Sequence, residues 1–300
     1  MQSDNTRGAL MMMAGMAAFT LNDTLMKLLS AELPLFQALF LRGVFTTLAF
    51  YLIARRMGVL RLHLAGRDRW LIALRVLAEA AAAWFFLTAL FNMPLANLTA
   101  ILQALPLTIT LAGALFLGEK VGWQRLLAIV VGFSGVLLIV RPGAGGFVPS
   151  AMLALISVAF VTLRDLVTRR MSREVPSMTV ALFTAGGVTL FAAIGSLGED
   201  WVRPSAGGWG LIAGAVVFII GGYLLSIMAV RVGELSVVSP FRYTGLIWAL
   251  MLGLLVFGEW PDPLTMAGAG LIVATGLFTF YREARRARRA ARQAAQTTAR

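Results

Sequence analysis

Of the fourteen acidic residues in the chain, only Asp23, Glu79 and Asp165 fall inside long apolar runs. A charge placed in hydrocarbon costs about 2.5–3.5 kcal/mol on insertion scales, so such a group faces a wet cavity or an ionic partner. Glu79 lies about ten residues into its run, near the middle of a bilayer-length helix. In a cavity it would bind a substrate ammonium or carry a coupling proton; the competing structural role is a pair with Arg75, one turn away at i−4. Asp23 has Arg42 in reach on the next run, and Asp165 has Arg164 beside it or Arg242 further on, so structural pairing competes there with gating or coupling. Arg242 is itself open to two uses, a structural ion pair or a partner for a substrate carboxylate. Asn22, Gln103 and Tyr243 offer hydrogen bonds to a carboxylate or an ammonium, while Phe86 and Tyr223 are fit to wall an apolar pocket. Pro106 and Pro240 sit inside their runs and must free a carbonyl and bend the helix, which is tolerated at that depth only where protein or a cavity satisfies the backbone. Lys27 and Arg169, near run ends, are expected to snorkel as anchors.

Other chemistry is missing from the list. One histidine, His63, sits in a basic loop, and there is no cysteine, so no catalytic set, metal site or cofactor motif is expected. Gly113–Lys120 (GALFLGEK) approaches a phosphate-binding loop but lacks its Gly-Lys-Ser/Thr ending. A membrane-embedded lipid enzyme would cluster acids or histidines at one face, and no such cluster is written here.

The elements that position these residues are written twice. Leu21–Pro34 (LNDTLMKLLSAELP) returns as Leu163–Pro176 (LRDLVTRRMSREVP) at an offset of 142, placing Asp23 on Asp165, Lys27 on Arg169, Glu32 on Glu174 and Pro34 on Pro176. At an offset of 140, Leu71-Ile72-Ala73 falls on Leu211-Ile212-Ala213, Gly118-Glu119 on Gly258-Glu259 and Gln103 on Tyr243. Glu79 falls on Ile219, so that charge belongs to one half only.

The mean hydropathy of +0.83, with 59% apolar and 13% charged residues, makes lipid the solvent. Ten runs are long enough to cross it, near 8–30, 34–54, 70–91, 95–117, 123–140, 148–167, 177–197, 208–230, 235–257 and 263–281. The net charge of +12 gathers in short loops and the tail, which makes it a topology signal and not a nucleic-acid footprint. It predicts both termini in the cytoplasm. The first run spans and is not read as a cleavable signal, Trp70, Trp123, Trp201 and Trp260 are expected at the interfaces, and the arginine-rich tail is expected to lie as a helix on the anionic inner leaflet. Five spans per half is odd, so the halves must enter the membrane from opposite sides. The predicted fold is an all-α membrane protein of two inverted five-helix repeats, residues 8–141 and 148–281, followed by a basic tail, 282–300.

Arg75, Ala89-Leu90, Pro94, Ala96, Pro106, Gly118-Glu119, Gly132, Gly135 and Arg141-Pro142-Gly143, repeated more loosely through Ala229, Gly258-Glu259 and Gly276, resemble the EamA domain of the drug/metabolite transporter superfamily. Among its members the chain looks most similar to the YddG-type aromatic amino-acid exporters. The resemblance implies a secondary transporter of the bacterial inner membrane that exports small metabolites, amino acids foremost, by alternating access. The cavity would be lined by the third, fourth, eighth and ninth spans with help from the first and sixth, and the fifth and tenth would be peripheral. Asn22, Glu79, Phe86, Gln103, Tyr223 and Tyr243 are the expected cavity residues, with Asp23, Asp165, Arg242, Pro106 and Pro240 for gating or coupling. The implied partners are a small-molecule substrate and the bilayer, with no nucleic acid and no cofactor, and a homodimer is left open. The alternative cargo is a nucleoside-like metabolite such as S-adenosylmethionine, moving inward.

Overall fold

The computed structural model describes residues 2–58, 66–118, 122–141, 149–172 and 174–298. His63, Glu119-Lys120, Pro142-Gly143 and Arg173 lie outside these. Ten helical stretches among the described residues are long and apolar enough to cross a bilayer. They are α1 (Gln2–Leu29), α2 (Leu35–Arg56), α3 (Gly66–Asn92), a fourth span broken into α4 (Leu95–Leu102) and α5 (Leu105–Leu117), α6 (Trp123–Val140), α7 (Pro149–Arg169), α8 (Ser177–Gly195) and α9 (Ala206–Val232). The ninth span runs through α10 (Leu235–Val238), a 3₁₀ turn (Ser239–Tyr243) and α11 (Thr244–Phe257), and α12 (Pro263–Thr298) carries the tenth span on into the basic tail.

Both breaks fall where the sequence puts an interior proline. Pro106 has no N–H for the carbonyl of Leu102, and α4 gives way to α5 just ahead of it. Pro240 opens the 3₁₀ turn of the ninth span in the same way. Gly118 and Gly258 end α5 and α11 at equivalent positions with φ of +68° and +67°, a conformation only glycine adopts without strain. Helix starts are capped from afar. Glu199 accepts the Phe36 and Gln37 amides that open α2, at 3.0 and 2.9 Å. Glu32, one of the repeated acids, accepts the amide of Ser205 and its hydroxyl, the latter at 3.1 Å, and so ties the end of α1 to the N-cap of α9. Asp262 accepts from the Leu264 and Thr265 amides at the start of α12. Its slight burial pulls its carboxyl up, but these bonds and Arg141 together hold it below the usual carboxylate range.

The packing repeats the symmetry of the sequence. The first span lies against the eighth (α1 on α9) and the third against the sixth (α3 on α7), and exchanging the halves converts one pair into the other. The second, fourth and fifth spans each pack on their own counterparts, as α2 on α8, α4 on α11 and α6 on α12. Two contacts join equivalent positions and mark the axis: Thr47 Oγ1 to Thr189 Oγ1 at 3.1 Å, and Gln103 Nε2 donating to the Tyr243 carbonyl at 3.4 Å. With an odd number of spans per copy, this two-fold lies in the plane of the membrane.

Along the membrane normal the two ends differ. Leu29, Leu90, Leu95, Leu98, Ile101 and Ile272 are all fully buried, and they gather toward the face where α1 ends, here the distal face. Toward the opposite face, which bears both termini, Met12, Ala229 and Val238 form a separate, smaller buried cluster where α1, α9 and α10 meet.

Gly132 and Gly135 form the seam of α6 with α12. A Cβ at 135 would stand 2.7 Å from the Gly268 carbonyl oxygen, and backbone cannot step aside as a side chain does. Gly135→Ala should therefore lower stability by about 1–3 kcal/mol, read as a fall in melting temperature of the detergent-solubilised protein, whereas Gly210→Ala, with open space around it, should leave it unchanged.

Candidate functional site

Between the halves lies a chamber of about 1100 Å³ that runs from Arg169 and Glu234 at the terminal face inward to Asp23 and Leu87. The polar candidates Asn22, Asp23, Glu79, Gln103, Asp165 and Arg242 all line it, together with Phe86, Tyr223, Tyr243 and Pro106. Pro240 does not; its part is the bend that turns Arg242 and Tyr243 inward.

Of the ion pairs the spacing suggested, Asp165 with Arg164 forms and the others do not. Glu79 is bound not to Arg75 but to Arg164 of α7, whose Nη1 reaches its two carboxylate oxygens at 3.1 and 3.2 Å. Arginine four residues before glutamate is the less favourable order on a helix, and Arg75 instead reaches across the seam to the hydroxyls of Thr168, at 2.9 Å, and Thr184. The Nε of Arg164 holds Asp165 at 2.8 Å, so one guanidinium serves two carboxylates. Asp23 and Arg42 do not meet directly. Asn22 stands between them, donating to Asp23 at 2.9 Å and accepting from Arg42 at 3.2 Å. Because Arg164 has taken Asp165, the structural ion pair open to Arg242 does not form.

Lys27 is also no interfacial anchor. Its ammonium donates to Glu259 at 2.7 and 2.9 Å and to the Met93 carbonyl at 2.9 Å, above the Phe257 ring, one turn beyond the chamber-lining Asp23 toward the distal face. Arg169, its repeat partner, lines the open end. Trp70, Trp123, Trp201 and Trp260 are exposed, as interfacial residues should be.

The apolar wall is Phe19, Phe86 and Phe280, with Tyr223 held edge-on between Phe19 and Phe50 at 5.5 and 5.7 Å. Phe280, Thr279 and Gly276 belong to the tenth span, and Arg42 to the second, so the lining is wider than the resemblance implied. The tenth span reaches the chamber because Gly276 has no side chain: a Cβ there would overlap the phenol of Tyr243. Arg164, expected only as a possible partner of Asp165, is the principal cavity residue that sequence reasoning missed. The signal was present, since the 142-residue offset aligns it with Asn22.

A duplicated, inverted bundle around a polar chamber closed at one end defines the class of membrane transporters built from inverted repeats. Residues 6–141 and 148–281 each match the EamA-like transporter family, and the chain belongs to that family. It is similar to the S-adenosylmethionine uptake transporter of Rickettsia bellii, 25% identical over 87% of this chain and 89% of that protein. It is similar too to the pseudopaline exporter CntI of Pseudomonas aeruginosa, 28% identical over 89% of this chain and 93% of that one. A riboflavin transporter of Rhizobium johnstonii is 27% identical over 94% and 93%. A solved crystal structure, 20% identical, superposes with a TM-score of 0.62 over 90% of this chain and 94% of its own, which supports the fold. The protein is a multi-pass transporter of a bacterial membrane; the cargoes and directions named for these relatives differ.

Proposed function

We propose that this transporter exports small zwitterionic metabolites, amino acids with aromatic or broadly apolar side chains foremost, across the inner membrane by alternating access. The observation that carries this reading is the composition of the chamber wall: carboxylates and guanidiniums within one cavity, beside a surface of phenylalanine rings. A zwitterion with an apolar side chain presents the complement of that wall. The basic loops support a cytoplasmic terminal face, an orientation that would open the chamber to the compartment from which an exporter loads.

Uptake of a nucleoside-like metabolite such as S-adenosylmethionine is the second reading, favoured by the uptake transporter of Rickettsia bellii; a cavity of about 1100 Å³ has room for a molecule of that size. Purified protein in liposomes should drive counterflow of labelled phenylalanine or leucine at least about tenfold above empty vesicles. Counterflow of S-adenosylmethionine alone would replace the first reading with the second. For direction, expression that confers resistance to toxic amino-acid analogues supports export, and rescue of an auxotroph supports uptake.

A further inference from the structure

Three guanidiniums, those of Arg42, Arg164 and Arg242, line the inner part of the chamber, and they are not equivalent. Arg164 is saturated by Glu79 and Asp165, and Arg42 donates to Asn22. Arg242 makes no hydrogen bond or ion pair among the described residues, and its side chain is exposed, with the chamber as the space it faces. A bare guanidinium at membrane depth is expensive unless water or an anion attends it. Its planar fork fits a carboxylate through two parallel hydrogen bonds.

Its mounting is rigid. Arg242 projects from the 3₁₀ turn that Pro240 begins, and the next residue, Tyr243, is fixed by the close approach of Gly276 and by Gln103 on its carbonyl. Asp165 and Arg164 are close enough to act on Arg242 by charge, and with Glu79 they line the same chamber. That triad holds two carboxylates to one guanidinium, a surplus of negative charge. One wall thus attracts an anion and the facing wall a cation, with Phe86 and Phe280 lining the same cavity.

We infer that Arg242 is the carboxylate anchor of the cargo site, with the Glu79–Arg164–Asp165 triad receiving the ammonium, so that cargo must carry a free carboxylate. This rests on the chamber being the site of a zwitterionic cargo. The test is ligand binding to the purified full-length protein, with L-phenylalanine, L-phenylalaninamide, S-adenosylmethionine and riboflavin as probes. Wild type should bind at least one of L-phenylalanine and S-adenosylmethionine, the two probes that carry both a free α-carboxylate and an ammonium, and reject the amide. Arg242→Gln, eluting as the same monodisperse species, should weaken that binding by about 30-fold or more and lose the preference for acid over amide, and Arg242→Lys should recover part of both. Acid and amide bound alike by wild type, or acid bound by Arg242→Gln as by wild type, would overturn the anchor and leave the amino-acid reading standing. Failure of both L-phenylalanine and S-adenosylmethionine to bind, with or without binding of riboflavin, would remove the zwitterionic cargo class and the anchor together.

Discussion

Arg164→Gln should abolish transport and cost on the order of 3 kcal/mol of stability, the low end of what removing one partner of a buried ion pair costs. Arg164, Glu79 and Asp165 are each less than a third exposed, at 21%, 17% and 32%, and the chamber beside them can hold water, which keeps the loss from being larger. Without the guanidinium, two carboxylates face each other across the seam of α3 with α7, the packing that mirrors α1 on α9. The double variant Glu79→Gln/Arg164→Gln removes one of those charges and should regain much of the stability without regaining flux. A double-mutant cycle on melting temperature measures the first effect, and counterflow in liposomes measures the second. Full flux in Arg164→Gln would show the triad to be packing alone.

The fate of Glu79 shows where sequence reasoning stops. That it needs a partner followed from its depth in an apolar run; which partner it takes depends on how α3 is rotated against α7, and no local spacing records that. Arg75 was close in sequence, but the α3 seam sends it to Thr168 and Thr184. The same holds for Lys27, whose carboxylate partner Glu259 is 232 positions away. What was legible is what the chain writes covalently or periodically: span lengths, the duplication at an offset of 142, and the prolines that break the fourth and ninth spans. The polar lining was largely legible as well, because polar residues inside apolar runs have few places to go. The tenth span was not. Its access to the chamber depends on a single missing Cβ at Gly276, a steric fact that appears only once Tyr243 is in place.

Inverted repeats carry a rule that makes the closed end informative: the two copies exchange conformations when the chamber changes sides. Lys27 and Glu259 correspond through the repeat to Arg169 and Glu119. Lys27 and Glu259 are joined at the sealed distal end; Arg169 lines the open end, and Glu119 lies outside the described residues. The distal pair also fastens helices, since Glu259 accepts the Leu95 amide at the start of α4 at 3.2 Å while Lys27 holds the carbonyl of Met93, the residue that follows α3. Glu259→Gln or Lys27→Met should therefore release the distal face. Losing about 3 kcal/mol from the closed state shifts the balance toward the distally open state roughly 100-fold. The chain has no cysteine, so Ala96→Cys, at a position 1% exposed in α4 beneath the pair, provides a single reporter. Its labelling by a membrane-impermeant maleimide added at the distal face should rise sharply in either single variant. The charge exchange Lys27→Glu/Glu259→Lys should bring labelling back toward the parent level, because it restores the attraction with its sign reversed. Labelling unchanged in both single variants would mean that the buried leucines around Leu95 and Leu98 hold the distal end shut without help from the ion pair.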